Sequence, residues 1–461
     1  MIKHFKKYFF IVSICFFCFT ANNVNAQSDL GLYGLRVVPQ SNFNNPAFIP
    51  DGKTIIGIPF ISSISSSTYS SSFSFNDIFI EKDGSDSLYL NLNSLISKSN
   101  EKNFVTEYFE NDLLYLGFKI KRSYLNIGIR NRMFTRAMYS NDLVKLAWNG
   151  NGNYIDEELN LSSTYVNHDH FISYYAGFGF MIGDNVSLGI RANLNQGLSS
   201  IQTSENQLII ETETHDQNVF SLRAKTGFTV NTSGLLRDST ETEITPTEYV
   251  FNFKNIGFSV DFGADFKVSE RVSLNFSVLD LGFINWKSEL SSYENSTDSI
   301  EFTGIYADIN TTEDLFQTYV DSLAELIEIN EFEQEFKTQL PTRVFAGLEY
   351  YSLDKTNRLS FVFSGTFLKN YFSPAFSVGY DKTVSKHFTF KVNYTYLKYA
   401  PLNLGAGLVF NFKPFQFYFL TDNILSAFYW SGQKYINFRF GINLVFPQQG
   451  SIKKGEPVFR E

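Results

Sequence analysis

The sequence predicts an all-β protein: a transmembrane antiparallel β-barrel of about 14 strands, with an irregular N-terminal plug and one helical insertion in an outer loop. Three observations predict it. First, residues 256–286 read IGFSVDFGADFKVSERVSLNFSVLDLGFINW, and every even position from 256 to 268 is apolar, while the odd ones are Gly257, Ser259, Asp261, Gly263, Asp265 and Lys267. Successive side chains of a strand point to opposite faces, so one face here is apolar and the other small, polar or charged. After Ser269-Glu270-Arg271 the alternation resumes at Val272, Leu274, Phe276 and Val278, which makes a tight antiparallel hairpin with membrane-length arms. Second, no run of about 18 uncharged apolar residues follows Gln27, so no helix is expected to span a bilayer. Third, 50 Phe and 26 Tyr bring the aromatic content to 17%, which suits a lipid-facing band and its interfacial girdles.

The chain opens on Lys3, Lys6 and Lys7, runs through an apolar stretch over 8–20 and reaches Val24-Asn25-Ala26. A basic region, an apolar region and a small-residue end read as a secretory signal peptide over 1–26. Cys15 and Cys18, the two cysteines, leave with it, so the mature chain has no disulfide or thiol chemistry. Loss of the three lysines takes the 38 basic residues to 35 against 47 acidic ones, a balance of −12. Nucleic acid, which wants a basic stripe, is not an expected partner.

Residues 27–60 are rich in Asn, Pro and Gly, lack a strand period and read as an irregular plug segment, with Asn45-Pro46-Ala47 as a compact turn. The barrel is assigned to 61–446. Near its start, 54–60 and 69–80 are strand candidates separated by a serine patch at Ser62, Ser63, Ser65, Ser66 and Ser67. Alternating pairs follow at 114–120 with 125–129 and at 174–180 with 186–192. The last third reads as nearly continuous hairpin: 344–350, 359–367, 371–380, 388–396, 402–412, 415–421 and 436–446. Short turns near 122, 184, 270, 355, 384 and 413 suit the periplasmic end of such a barrel, and an even number of strands must separate neighbouring ones. Parity fails only between 184 and 270. Either 220–230 does not cross the membrane, or a further strand hides in 207–213. The first alternative, with 54–60 left in the N-terminal part, gives 14 strands; the second gives nearer 16.

The longest insertion, 288–340, projects outward by the same parity, and Trp286 before it is expected at the outer membrane interface. Within the insertion, 311–337 carries Phe316, Tyr319, Val320, Leu323, Leu326 and Ile327 at helical spacing, with Thr311 and Asp314 as a capping box and Pro341 beyond the end. The other face is acidic and includes Glu325 and Glu328. Such a helix either packs on the barrel rim or offers Phe316, Tyr319, Leu323, Glu325 and Glu328 to a partner. Residues 447–461 form a polar tail.

No catalytic constellation emerges, and the chain reads as a non-enzyme without cofactor or metal. His168-Asp169-His170 puts two imidazoles on one strand face, but no third ligand has metal-site spacing. Asp83-Gly84-Ser85-Asp86 lacks the alternate Asp and closing Glu of a calcium loop and reads as a turn. Glycines recur singly at alternate strand positions, where they keep the lumen face small or let strands bend. Asp261, Asp265 and Asp280 need water or a partner, which a lumen supplies.

Asn45-Pro46-Ala47, the Asp280-Leu281-Gly282-Phe283-Ile284-Asn285-Trp286 hairpin end, Leu340-Pro341-Thr342 and Thr421-Asp422-Asn423 together resemble an outer-membrane barrel family related to the FadL-type fatty-acid channels and to the PorV and PorP/SprF barrels of type IX secretion and gliding. The resemblance covers 30–446. It implies a 14-stranded FadL-like barrel with Asn45, Pro46 and Ala47 in the plug; the expected location is the outer membrane of a Gram-negative bacterium, with the N-terminus and the polar tail in the periplasm. The tail after Phe446 departs from barrels that end on an aromatic residue. Relatives of this kind include channels and scaffolds. The function expected from the long insertion, the tail and the secretion-associated resemblance is an accessory or scaffolding subunit of an envelope secretion, surface-protein or assembly complex, with outer-membrane lipid and secreted or envelope proteins as partners. The alternative is FadL-like uptake of a small hydrophobic molecule.

Overall fold

The computed structural model describes residues 30–81, 88–216, 219–234, 251, 253–295, 299–302, 329–368 and 371–447. Fourteen strands close one antiparallel barrel around an N-terminal segment that fills its lumen. In chain order they are β1 (Thr54–Gly57 and Ile64–Ser70), β2 (Lys102–Ile120), β3 (Ser123–Ser140), β4 (Tyr165–Ile182), β5 (Val186–Asp216), β6 (Asn255–Lys267) and β7 (Val272–Trp286). The second half comprises β8 (Thr342–Tyr351), β9 (Asn357–Leu368), β10 (Tyr371–Ser385), β11 (Phe388–Leu397), β12 (Ala400–Phe412), β13 (Phe415–Thr421) and β14 (Tyr435–Phe446). Closure falls on β1, both parts of which pair with β14 on one side and β2 on the other. A closed sheet leaves no backbone edge to lipid.

The wall has the reverse polarity of a soluble core. Phe258 (56% exposed), Phe262, Phe276, Phe361, Leu408 and Phe417 face outward, while Asn126, Asp261, Glu349 and Arg191 (2% exposed) are buried inside. That inversion is what lipid outside and a polar lumen inside demand. Among the described residues no helix is long and apolar enough to cross a membrane.

The parity problem between 184 and 270 resolves in favour of 14. β5 is 31 residues long; its first part pairs with β6, and its second with Val219–Ser233, which sits above β6 and does not cross. Residues 207–213 are the upper part of β5, not a separate strand. Val219–Ser233 pairs onward with Leu290–Asn295 and Ile300–Phe302, and Leu290–Asn295 with Ile329–Phe332, so a four-layer blade rises from the long-loop end.

Four sequence expectations are corrected. The first wall strand is not 69–80: it is Thr54–Gly57 and Ile64–Ser70, and 71–80 holds the short helix Phe75–Ile78. The serine patch hides it because serine leaves no hydrophobic period, yet the backbone must pair on both sides to close the barrel. Consequently Thr54–Gly57, placed with the plug, is wall. Between the two parts the chain loops out over 58–63, with Phe60 in the left-handed region (φ 65). Trp286 is not at the lipid interface; it is fully buried, stacked on Phe336 at 6.0 Å with Nε1 donating to Thr338 at 3.0 Å. A bulge at Leu279-Asp280, with Asp280 at φ 60, adds one residue and reverses which side the following positions face. Finally, the helix over 311–337 does not extend through its last third, where Ile329–Phe332 and Phe336–Gln339 are strands held by pairing with Leu290–Asn295 and β7. The remainder of that helix, with Phe316, Tyr319, Leu323, Glu325 and Glu328, lies outside the described residues, as do the leader, Asp83 to Asp86 and the tail from 448.

Lipid contact makes a sharp prediction. Phe262→Arg, on the outer face, should lower stability by about 2–4 kcal/mol in urea unfolding from phospholipid vesicles; an unaffected midpoint would mean that this face does not meet lipid.

Candidate functional site

The lumen is built from the plug outward. Residues 30–51 carry only one short helical turn, Pro39–Phe43, so most of their backbone groups have no ladder to join. The wall supplies partners. Lys391 Nζ donates to Tyr33 O (3.2 Å), Gln416 Nε2 to Val37 O (2.8 Å), Arg191 Nη2 to Asn42 O (2.6 Å), and Arg358 Nη1 to Gly34 O. Ser277 Oγ donates to Asn44 O (2.6 Å) and Ser187 Oγ to Ala47 O (2.8 Å). Leu30 N donates to Asp422 (3.1 Å), and Gln40 exchanges two hydrogen bonds with Asn443.

Asn45, Pro46 and Ala47 form a seat against the wall. Asn45 Oδ1 accepts from Ala47 N (2.9 Å), and Asn45 Nδ2 donates to Ala264 O (3.3 Å) and Phe276 O (3.1 Å). Opposite them stand Gly189 and Gly263; a Cβ on either would run into the backbone of this turn. The turn therefore lies flush on the wall, without a pocket between them. Apolar plug residues fill the remaining space: Phe43 meets Tyr115 and Tyr175 edge-on at 5.7 Å, and Tyr33 stacks on Phe345 at 5.0 Å.

Charges organise the lumen at two levels. Near the short turns, Arg36 of the plug joins Asp265 (2.6 Å) and Glu349 (2.8 Å), and Arg358 joins Glu349 (2.8 Å) and Asp381. Above the plug, Glu110 is shared by Arg130 (2.7 Å), Arg439 (3.1 Å), Arg132 (3.2 Å) and, at 3.9 Å, Arg343. Asp280 receives Arg132 (2.5 Å) and Arg343 (2.8 Å), while Arg191 reaches Asp261 (3.0 Å). Thus Asp261, Asp265 and Asp280 all face the lumen, but in two separate clusters. Glu110 and the arginines were not singled out from the sequence. Their signal was available: Glu110 and Asp112, then Arg130 and Arg132, are charges at alternate positions of long strands.

Nearest the long loops, Tyr69, Phe104, Tyr435 and Tyr399 form a ring-on-ring cluster with centroid distances of 5.3, 5.9 and 5.8 Å. Leu397 and Leu279 join it, and the same apolar cluster continues down to Leu30, Tyr33 and Phe48 of the plug. On the outside, a recess of about 520 Å³ lies where Ala176 and Ala192 interrupt the bulky band, flanked by Leu114, Ile127, Tyr174 and Phe258. His168 and His170 are bound separately, to Thr135 and Ser199 and to Asn131. Among the described residues no three His, Cys, Asp or Glu are grouped to hold a metal.

The sequence profile described as "Family of unknown function (DUF5723)" matches residues 46–422. The chain belongs to this family. Among solved structures, the DUF5723 barrel is similar to the Ralstonia pickettii toluene transporter TbuX, at 8% identity over 88% of this chain and 94% of that one, with a TM-score of 0.43. It is also similar to a Pseudomonas aeruginosa FadL homologue (14%, 88% and 94%, 0.42) and to the Pseudomonas putida toluene transporter TodX (9%, 92% and 98%, 0.37). No curated protein matches the sequence.

Two substitutions test this DUF5723 lumen. Glu110→Gln strips the shared carboxylate from buried guanidiniums and should cost about 3–5 kcal/mol, read as a shifted urea midpoint. Gly189→Val should displace the plug turn, exposing 30–51 to limited proteolysis while the barrel still migrates as a folded species on unheated gels.

Proposed function

We propose that this barrel sits in the outer membrane with its short turns toward the periplasm and admits a small, largely apolar molecule through its long-loop mouth. The observation that carries the reading is the apolar and aromatic cluster that runs from Tyr69, Phe104 and Tyr435 at the mouth to Tyr33 and Phe48 of the plug, beside the charged and amide groups of the lumen. An apolar track of this kind gives such a molecule a path without unpaired polar groups. The chemistry required is binding and passage. Among the described residues no nucleophile, base and orienting group come together around it.

A second reading is supported by a separate feature. Ile329–Phe332 stands at the margin of the blade above the barrel, largely exposed, and pairs on one side with Leu290–Asn295. A strand that among the described residues is paired on one side only can take a partner strand by backbone hydrogen bonding, as an accessory subunit of a secretion or surface-assembly complex, including one of the type IX kind, would require. Co-purification from native membranes tests that role; recovery of the barrel alone would count against it.

For admission, proteoliposomes containing the barrel should take up decanol faster than protein-free vesicles, and native mass spectrometry of the purified protein should retain a small apolar molecule. Tyr435→Asp, which puts a charge on the track, should cut uptake by roughly tenfold. If both measurements are blank for the unmodified protein, the reading fails.

A further inference from the structure

The mouth contains a cation that the described residues leave without a carboxylate partner. Each of the other arginines directed from the wall into the lumen lies within 4.0 Å of a carboxylate: the five around Glu110, Asp280 and Asp261, and Arg358. Arg136 of β3 is as buried as they are, at 3% exposure, and has no carboxylate at that distance among the described residues. Its one hydrogen bond is a long one, from Nη1 to Thr106 Oγ1 at 3.4 Å. Nε and Nη2 have no hydrogen-bond partner among the described residues.

Those two nitrogens share one edge of the guanidinium. Their N–H bonds run parallel, at the spacing of the two oxygens of a carboxylate. The rings of Phe104, at 4.3 Å, and Tyr371, at 4.6 Å, offset part of the charge by cation–π attraction. Buried donors without partners are costly. One rung toward Glu110, the Tyr108 hydroxyl also lacks a partner among the described residues. The position matters too. Arg136 is on the third strand and Tyr371 on the tenth of fourteen, so the side chain reaches across the mouth to the opposite wall.

We propose that Arg136 is a carboxylate-binding residue at the mouth: its Nε and Nη2 edge grips the carboxylate of an incoming monoanion, whose apolar body lies on Phe104, Tyr69 and Tyr399. This deepens the admission reading and rests on it for its purpose. A singly charged, planar group fits better than phosphate, because the site offers one guanidinium edge with two parallel donors, which matches the two oxygens of a carboxylate. The carboxylate can belong to a small free acid or to the head of an amphiphile.

Calorimetric titration of the full-length barrel in a non-ionic detergent, with benzoate and decanoate set against benzyl alcohol and decanol, tests this. The unmodified protein should bind at least one carboxylate roughly tenfold more tightly than its alcohol. Preference for benzoate alone would identify a small free acid, and preference for decanoate an amphiphile. In R136Q the ratio should fall to near one; R136K, which keeps the charge without the two-pronged edge, should retain only part of it. Should R136Q not fold, the ratio in R136K against the unmodified protein carries the test. No preference in the unmodified protein, or full preference in either variant, overturns the proposal. Carboxylate preference without decanol or decanoate uptake in proteoliposomes would leave this site standing and remove the admission reading, while decanol uptake without the preference would do the reverse.

Discussion

The lumen depends on one constraint: a segment with almost no regular structure lies inside a closed barrel, where its backbone polar groups are cut off from bulk water. Each buried N–H or C=O left unpaired there costs about 1–3 kcal/mol, so partners have to come from wall side chains. That requirement explains why Lys391, Arg358, Gln416, Ser277, Ser187 and Arg191 point inward from strands spread around the ring, each ending on a plug carbonyl. It also explains Gly189 and Gly263, which let the Asn45-Pro46-Ala47 turn approach the wall backbone closely. Plug and wall specify one another: neither has a satisfied interior without the other.

The charged level above the plug solves a different problem. A barrel of fourteen strands is wider than its side chains can fill from one wall, so contacts have to reach across. Glu110 of β2 is met by arginines of β3, β8 and β14, and Arg132 of β3 reaches Asp280 of β7. The contacts to β8, β14 and β7 are braces between strands that share no backbone ladder, whereas Arg130 and Arg132 meet Glu110 across the β2–β3 ladder. Burying them is expensive, and their return lies more in fixing the shape of the lumen than in net stability. The Leu279-Asp280 bulge is part of the same arrangement, because the left-handed turn at Asp280 brings its backbone N–H to Asp261 Oδ1 at 2.7 Å while its carboxylate takes both Arg132 and Arg343.

The hairpins were legible because lipid on one face and a lumen on the other impose period two, and a run such as Ile256 to Val268 has no other good reading. Strand number followed from turn parity once Val219–Ser233 was excluded from the wall. What could not be read locally was anything decided by a distant partner. The serines of β1 become a strand only because β2 and β14 need closing, and Ile329–Phe332 becomes one only because Leu290–Asn295 lies beside it. Trp286 was assigned to the wrong side because one inserted residue reverses a strand's faces, and the break in alternation at Leu279 marked the place without saying which way the chain would turn. Of the lumen charges, the three aspartates drew notice as carboxylates on strands; the arginines that neutralise them lie up to 229 positions away in the chain.

The two levels differ in what they permit. The plug is fastened by hydrogen bonds and ion pairs to strands on every side, and moving it as a body would unpair many of them together, at a cost far beyond the few kcal/mol available from binding a small ligand. The mouth is held mainly by ring contacts among Tyr69, Phe104, Tyr399 and Tyr435, with Tyr399 N donating to the Tyr69 hydroxyl at 3.0 Å, so that its rearrangement disturbs fewer polar groups than movement of the plug. The part of this lumen that responds most readily to a ligand is therefore the mouth, and passage beyond it has to run along the apolar side chains of Leu30, Tyr33 and Phe48 by their local rearrangement, with the plug backbone held in place. Arg136 lies in that adjustable layer, away from the braced one, which is where a residue must be if its partner comes and goes.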